Sequence, residues 1–210
     1  MADFKKLFES FVPLKTGVIG DVMLDTYIWG KVERISPEAP VPVVTLDHKE
    51  YRIGGAGNVA LNCHSLGSQV FILSVTGDDT DGLLLEELFN ENQIDTSYLV
   101  KSSKRITTNK TRIISRNQQM MRLDAEVTHD LDTKDEDDLL EKIISFIETE
   151  YPDIMIFEDY NKGVLTERII HEAISLCREA GIVTAIDPKR KNFFSYQHAD
   201  IFKPNLKEVK

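Results

Sequence analysis

The sequence predicts an α/β fold in which helices cover both faces of a largely parallel sheet. In the second half of the chain, segments with helical spacing of apolar residues alternate with short apolar runs that are typical of buried strands. Such alternation indicates βαβ units, whose crossover helices pack on a parallel sheet. The composition agrees with a globular domain, since hydrophobic residues make up 41% and charged residues 29% of the 210 residues.

The first half of the chain begins the predicted sheet and then leaves it. A buried strand is expected over 16–21, where a short apolar run ends on Asp21. The segment 27–47 places three prolines between β-prone residues, and we expect exposed, edge-like strands there because proline cannot donate to a sheet. The further elements predicted in this half are a helix over 58–66, a buried strand over 69–77, and a helix containing Leu84, Leu85, Leu88 and Phe89.

The second half opens with a predicted hairpin, formed by 107–116 and 118–127 around a short polar turn at Asn117. The elements predicted after it are a helix over 136–150, a strand over 153–159, a helix over 166–180, and strands over 182–187 and 200–205. Asn205, with Glu208 three residues on, indicates the capping box of a new helix. We therefore expect the chain to be part of a longer protein.

Charge and cysteine usage restrict the classes of function. With 25 basic and 35 acidic residues the net charge is −10, and no basic face is gathered that could bind phosphodiesters, so we expect no nucleic-acid partner. The acidic stretch 130–141 is interpreted as a solvated helix start. Cys63 and Cys177 lack metal-ligand spacing and are predicted to be buried thiols. No apolar run approaches the roughly 20 residues that span a bilayer, so a cytoplasmic protein without a membrane partner is expected.

Polar residues lie where the predicted parallel strands end, which is the edge of an open α/β sheet that usually binds ligands. They are Asp21, Asp159, Asp187 and Asn205. Each of them also has an alternative role as a helix cap or turn residue.

The stretch GGAGN, residues 54–58, lies just before a predicted helix. It is neither a GxGxxG dinucleotide fingerprint nor a Walker A loop, because neither the third glycine nor a following GK[ST] is present. Missing side chains would let a ligand approach the backbone, and Asn58 adds an amide, which together suit a polyhydroxylated ligand. A tight turn between strand and helix is the alternative.

Taken in order, the motifs VIGDVMLDTY, GGAGNVALN and KPNLKE resemble those of the ribokinase-like (PfkB) sugar kinases. The stretches RISPEAPVPVV, TTNKTRIISRNQQMMRLD, DYNKGVLT and IDPKRKNF resemble, within that family, the kinase half of bifunctional ADP-heptose synthases. The resemblance implies a ribokinase-like parallel-sheet sandwich with a small β-strand lid, formed by segments about 26–50 and 105–127 of an incomplete 1–210 domain. It also implies ATP-dependent phosphorylation of the anomeric hydroxyl of D-glycero-D-manno-heptose 7-phosphate, with magnesium, for ADP-heptose and lipopolysaccharide synthesis.

The resemblance also implies roles for individual residues. Those matching the sugar side are Asp21, Asp25, Gly54, Gly55, Asn58, Lys110, Arg112, Arg122, Asp124, Asp159 and Lys162. Those matching the nucleotide side are Asp187, Lys189, Asn205, Leu206, Lys207 and Glu208, of which Asn205 and Glu208 would organise magnesium through water. The cations of the hairpin suit a phosphate, with a solvated strand face as the alternative.

The resemblance is incomplete, because the GAGD element that carries the family's catalytic base is absent from these 210 residues. We therefore expect the base beyond Lys210 and an inactive chain by itself. A homodimer through the lid is expected from β edges that carry Trp29, Ile35 and Val43. The alternatives are another PfkB-type kinase for a hexose, hexose phosphate or nucleoside, a dinucleotide-dependent oxidoreductase, and a non-catalytic sugar-binding or dimerisation module.

Overall fold

The computed structural model describes residues 4–12 and 14–209. The helices are α1 (Phe4–Glu9), α2 (Ala56–Ser65), α3 (Thr80–Glu91), α4 (Thr133–Glu150), α5 (Glu167–Ala180) and α6 (Leu206–Val209). The strands are β1 (Lys15–Gly20), β2 (Val22–Ile35), β3 (Pro42–Gly55), β4 (Gln69–Gly77), β5 (Leu99–Ser102), β6 (Asn109–Ser115), β7 (Gln118–Ala125), β8 (Ile154–Glu158), β9 (Val183–Asp187) and β10 (Ile201–Phe202).

The body of the molecule is a six-stranded sheet in the order β10-β9-β8-β1-β4-β5, and its strand pairs are parallel. Its strands are short and apolar because both faces are covered. One face packs on α4 and α5 around Phe71, Phe146 and Phe157. The other packs on α2 and α3 around Ile72 and Phe89. The predicted α/β class and covered sheet are confirmed. Among the described residues, no helix is long and apolar enough to cross a membrane.

A second sheet of four strands, in the order β3-β2-β6-β7, extends from this body and is called the lid sheet below. The hairpin of β6 and β7 turns at Arg116 and Asn117, both with positive φ, of 48° and 63°. Two such residues form the tight two-residue turns that match strand twist. The expectation of edge strands in 27–47 is wrong for β2, which pairs with β3 on one side and with β6 on the other.

The prolines nevertheless have the positions expected of them. Pro42 is the first residue of β3, while Pro37 and Pro40 lie in the connection between β2 and β3. Strand β2 begins at Val22 and strand β3 ends at Gly55. The lid sheet therefore continues into the body beyond the expected bounds of 26 and 50.

Several elements differ from the sequence predictions. The helix expected over 58–66 begins at Ala56, because Gly55 already caps it. The last strand contains only Ile201 and Phe202, not 200–205. The short elements α1 and β5 were not predicted. Cys177 is buried as expected, whereas Cys63 is only half-buried.

Candidate functional site

The carboxylate of Asp21 lies at the carboxyl edge of the large sheet and is turned into the protein. One oxygen accepts hydrogen bonds from the backbone N–H groups of Tyr160 and Lys162, at 2.8 and 3.0 Å. The other accepts from that of Val164, at 3.0 Å. Burial raises the pKa of Asp21 although these three donors act to lower it. Asp21 is 1% exposed, and its hydrogen bonds hold the 160–164 loop. A residue that binds sugar hydroxyls is expected to be open to the ligand, and Asp21 is not.

Asp159 is a second predicted site residue that is buried in the loop structure. Its Oδ1 accepts from the backbone N–H of Asn161 at 2.8 Å, and its Oδ2 accepts from the hydroxyl of Tyr196 at 2.9 Å. Burial raises the pKa of Tyr196, and the negative charge of Asp159 acts in the same direction. With 2% exposure, Asp159 anchors the loop and is closed to a ligand in this conformation.

Glu158, the residue before Asp159, was not predicted as a site residue. It is 7% exposed at the carboxyl end of β8, and burial, followed by repulsion from Asp187, raises its pKa from 4.5 to about 7. A buried carboxylate with so shifted a pKa is a candidate functional group. The sequence did contain a signal for a site here, because two acidic residues, Glu158 and Asp159, end the predicted strand. The strand pattern alone did not show which of the two carboxylates was turned away from the 160–164 loop.

Asn205 and Glu208 form the predicted capping box at the start of α6. The Oδ1 of Asn205 accepts from the backbone N–H groups of Lys207 and Glu208, and Glu208 accepts from the N–H of Asn205 at 2.7 Å. The other oxygen of Glu208 pairs with Lys189 at 2.7 Å, and the ammonium of Lys189 lies 5.6 Å from the ring centroid of Tyr160. Leu206 is 71% exposed.

This arrangement does not fit a directly bound magnesium ion, because the carboxylate and amide oxygens of Asn205 and Glu208 are already engaged by protein donors. The described residues contain no group of three or more His, Cys, Asp or Glu side chains that could hold a metal. Asp187 lies nearby and pairs with Lys203 at 3.3 Å.

The glycine stretch joins β3 to α2 where little space is left for side chains. Gly55 has φ +59°, and a Cβ there would lie 2.3 Å from the carbonyl oxygen of Asp21. A Cβ on Gly54 would lie 2.6 Å from Oδ2 of Asp25. The tight turn proposed as the alternative reading is therefore present, and the missing side chain of Gly54 also lets the Asp25 carboxylate lie against the backbone.

Asn58 lies on the exposed side of α2. It lines an open cleft of about 270 Å³ with Arg52 and with residues of α2 and α3. The cleft is also lined by Leu61, Leu88 and Asn92. Asn58, on α2, therefore lies beside the end of α3, and not beside the hairpin of β6 and β7.

One face of the lid sheet carries most of the predicted charged residues. Because side chains alternate along a strand, the register places on one face Asp25, Tyr27, Trp29, His48, Glu50, Arg52, Lys110, Arg112, Arg122 and Asp124. We call this the charged lid face. Nη1 of Arg112 donates to Oδ1 of Asp25 at 2.6 Å, so Asp25 lies between the glycine stretch and the hairpin.

The other cations of the charged lid face are paired with carboxylates. Lys110 bridges Asp124 and Glu126, at 3.1 and 3.0 Å. Arg122 donates through Nε and Nη2 to both oxygens of Asp124. Lys162 reaches Glu126 from the 160–164 loop, at 2.8 Å. The structure thus brings together the predicted hairpin residues, Asp25 and Lys162 in one network.

Arg105 is a further residue that the sequence did not single out. It is 8% exposed and donates to the backbone carbonyls of His129 and Lys162. Burial lowers its pKa, against the attraction of Asp21. Arg105 joins the base of the hairpin to the 160–164 loop, and nothing in the local sequence distinguishes it from the many exposed arginines.

Trp29 also lies on the charged lid face rather than at an apolar edge. Its indole stacks on the ring of His48 at 5.9 Å and its Nε1 donates to Glu50 at 3.4 Å. The expected apolar edge is therefore wrong for Trp29, whereas Ile35 is 61% exposed. The network combines the partly exposed carboxylate of Asp25 with several guanidinium groups, which can bind a ligand carrying hydroxyls and an anionic group.

Comparison with known proteins gives a family match and curated relatives. The family described as "pfkB family carbohydrate kinase" matches residues 15–210. "Bifunctional protein HldE" of Syntrophotalea carbinolica is 43% identical over 196 residues, covering 93% of this chain and 40% of that protein. The Helicobacter pylori protein of that name is 41% identical over 194 residues, covering 91% of this chain and 41% of the relative. The chain spans about two fifths of the length of the curated relatives that it matches.

Solved structures with the same fold include phosphofructokinase-2 from Escherichia coli in complex with fructose-6-phosphate, with a TM-score of 0.68 and 17% identity. That match covers 94% of this chain and 63% of the other. A carbohydrate kinase from Agrobacterium tumefaciens matches with a TM-score of 0.62 and 17% identity, over 90% of this chain and 60% of the other. At this identity the likeness concerns the fold.

Proposed function

The chain belongs to the pfkB family of carbohydrate kinases, and we propose that it forms the sugar-binding and lid-bearing part of an ATP-dependent kinase for a phosphorylated sugar. The substrate that we propose is D-glycero-D-manno-heptose 7-phosphate, phosphorylated at its anomeric hydroxyl in ADP-heptose synthesis. The motifs of the sequence that resemble heptose 7-phosphate kinases support this choice, as does the 37–43% identity to curated relatives.

One observation carries the proposal: Asp25 lies against Gly54 and is joined to Arg112 of the hairpin. A carboxylate accepts hydrogen bonds from sugar hydroxyls, and a guanidinium donates in a fork that matches phosphate. These two groups lie beside one another on the charged lid face, where a phosphorylated sugar can contact both. In this proposal Asp25 orients the sugar, while Asp21 and Asp159 act indirectly by holding the 160–164 loop.

The proposed reaction is direct transfer of the terminal phosphoryl group of ATP to the anomeric oxygen. The O–H proton of the sugar passes to a base, the new P–O bond forms, and ADP leaves with the electrons of the broken bond. Phosphoryl transfer depends on positioning and charge stabilisation. Lys189, with Asp187 and the capping box of α6, is the proposed nucleotide side. Magnesium would arrive with ATP and shield its charge, and the lid sheet would exclude water.

We also propose that this chain alone has little activity. A general base contributes roughly 10²–10⁴-fold to such reactions, and no residue of the charged lid face is an unpaired carboxylate beside the proposed sugar position. We also propose a cytoplasmic location, because the proposed reaction uses ATP.

A second copy of the chain is the proposed partner of the lid sheet. The face opposite the charged lid face carries Tyr51, Met121 and Leu123, which are 37%, 54% and 52% exposed. Ile28 and Ile113 lie on the same face and are half-buried. Exposed apolar groups on a sheet favour association, and a homodimer through the lid would cover them.

Binding and turnover measurements test the proposal. We expect heptose 7-phosphate to bind in calorimetry, and simultaneous replacement of Lys110, Arg112 and Arg122 by Ala to weaken it far more than unphosphorylated heptose. Equal losses for both sugars would contradict the phosphosugar assignment and favour another kinase of the family. Nicotinamide cofactor binding would favour an oxidoreductase. Enzyme-like turnover by this chain with ATP and magnesium would contradict its proposed inactivity, while sugar binding without turnover in any longer form would favour a binding module.

A further inference from the structure

Two guanidinium groups flank the ring of Tyr27 on the charged lid face. Tyr27 lies on β2, Arg52 on the neighbouring strand β3, and Arg112 on the other neighbour, β6. The guanidinium carbon of Arg52 is 4.7 Å from the ring centroid and that of Arg112 is 5.3 Å from it. At these distances the ring attracts both cations.

Both guanidinium groups retain donors that the protein does not use. Arg112 donates through Nη1, to Asp25 at 2.6 Å and to the carbonyl of Lys110 at 3.2 Å. Arg52 donates through Nε to Glu50 at 2.7 Å. Each guanidinium has five N–H donors. Across residues 4–12 and 14–209, Nε and Nη2 of Arg112 and both Nη atoms of Arg52 thus have no hydrogen-bond acceptor.

The remaining cations of this network offer less to an anion. Lys110 is surrounded by two carboxylates and its side chain is only 16% exposed. The fork of Arg122 is closed by both oxygens of Asp124. Lys162 is bound to Glu126 and is also 16% exposed. An incoming anion would have to displace a carboxylate at Lys110 and Lys162. At Arg122 it would have to displace Asp124 to use the Nε–Nη2 edge, and only Nη1 is without a protein acceptor in the described part of the chain. The Nε–Nη2 edge of Arg112 and both Nη atoms of Arg52 need no such displacement.

We propose that Arg52 and Arg112, on the strands either side of Tyr27, bind the phosphate of the sugar, and that Lys110 and Arg122 instead hold the carboxylates of the hairpin. The inference deepens the proposed function and rests on it. It assigns a binding role to Arg52, which no motif indicated.

The geometry also gives a basis for selecting the substrate by length. Nη1 of Arg112 stays on Asp25 while its Nε and Nη2 edge binds phosphate, so one rigid guanidinium spans the two binding groups. Asp25 lies against Gly54, where the sugar ring is proposed to bind. The distance between phosphate and ring hydroxyls is thereby fixed by Arg112, and Arg52 closes the far side of the anion.

The sharpest test is Arg52→Ala, because Arg52 has an exposed side chain and does not contact Asp25 by a hydrogen bond. Affinities for heptose 7-phosphate, unphosphorylated heptose and inorganic phosphate are measured by calorimetry. We expect Arg52→Ala to lose about ten- to hundredfold in affinity for heptose 7-phosphate, as hydrogen bonds between charged groups imply. The affinity of Arg52→Ala for unphosphorylated heptose should stay within about twofold of the parent affinity, because Arg52 is proposed to contact the phosphate. A twofold change corresponds to a binding free energy difference below about 0.5 kcal/mol. Arg52→Lys should recover little of the loss, because lysine lacks the fork.

Arg116→Ala is the matched control, since Arg116 is an exposed arginine at the hairpin turn and away from Tyr27. Circular dichroism and the thermal midpoint verify that each variant folds. The fluorescence of Trp29, the single tryptophan, gives a second readout because Glu50 contacts both Trp29 and Arg52. Inorganic phosphate should change this signal in the parent chain and not in Arg52→Ala.

The outcomes separate the two proposals. If the parent chain binds heptose 7-phosphate and Arg52→Ala binds it equally well, or if Arg122→Ala loses more than Arg52→Ala, the two-arginine site is wrong. Equal losses of affinity for phosphorylated and unphosphorylated heptose would indicate a structural role for Arg52 and would also overturn the two-arginine site. If inorganic phosphate binds through Arg52 but heptose 7-phosphate does not bind, the anion site stands and the proposed substrate fails. Failure of both ligands to bind the parent chain would overturn both proposals.

Discussion

Replacement of Glu158 by Gln is expected to stabilise the protein at alkaline pH and to leave its stability unchanged at acidic pH. Glu158 is 7% exposed, and burial raises its pKa from 4.5 to about 7. A raised pKa in the folded state means that folding favours the protonated carboxyl. The stability associated with that proton is fully present below about pH 4.5 and is lost as the pH rises through about 7.

The magnitude follows from the shift in pKa. Each pH unit between the unfolded and folded pKa values corresponds to about 1.4 kcal/mol, so ionisation of Glu158 costs about 3 kcal/mol above pH 7. Glutamine has nearly the same shape and carries no charge. The free energy of unfolding of Glu158→Gln should therefore exceed that of the parent by about 3 kcal/mol at pH 8.

Urea unfolding at pH 4.5 and pH 8, followed by circular dichroism, measures the difference between the two proteins. Other titrating groups are common to both and cancel. Glu172→Gln, an exposed position on α5, is the control and should match the parent at both pH values. A difference that is the same at the two pH values, or a variant less stable than the parent at pH 8, would refute the reasoning.

Three further predictions concern packing, the glycine turn and the loop. Phe146→Ala should lower the free energy of unfolding by about 3–5 kcal/mol in urea, because Phe146 is fully buried against Phe71 and Tyr98; a loss below about 1 kcal/mol would contradict the described core. Gly55→Ala should cost about 2 kcal/mol or more in the same assay, since φ is +59° and the Cβ would lie 2.3 Å from a carbonyl oxygen; a neutral variant would show that the turn is relaxed. Asp21→Ala should speed amide hydrogen exchange at the N–H groups of the 160–164 loop while that of β4 stays slow, and unchanged exchange in the loop would show that Asp21 does not hold it.

The parts of the fold that follow a local pattern were predicted well. The nine residues of β4 form an apolar run and were assigned with the observed bounds, and the α5 helix has the spacing and caps that mark its ends. The two-residue turn at Arg116 and Asn117 could be expected from its polar residues. By contrast, β5 has only four residues and gives too little pattern to be distinguished from a loop.

The positions of the predicted site residues differ from one another in ways that the local sequence did not indicate. The hairpin cations and Asp25 lie on one face of the lid sheet. Asp21 and Asp159, which the strand ends favoured, are instead turned inwards to bind backbone N–H groups and a tyrosine. Glu158 was missed because the strand pattern did not show which of the two acids at its end is buried apart from the loop, and Arg52 because it does not differ locally from an ordinary surface residue.

The sequence by itself determined the α/β class, the order of most elements and the family, because apolar periodicity, turn residues and ordered motifs are properties of neighbouring residues. Only the tertiary structure decided which carboxylate is open to a ligand and which cations keep free donors. The partners concerned are far apart in the chain: Asp21 binds the backbone of Val164 at a separation of 143 residues, and Arg112 binds Asp25 at a separation of 87. Burial and hydrogen bonding at such distances depend on packing between elements, which no local pattern records.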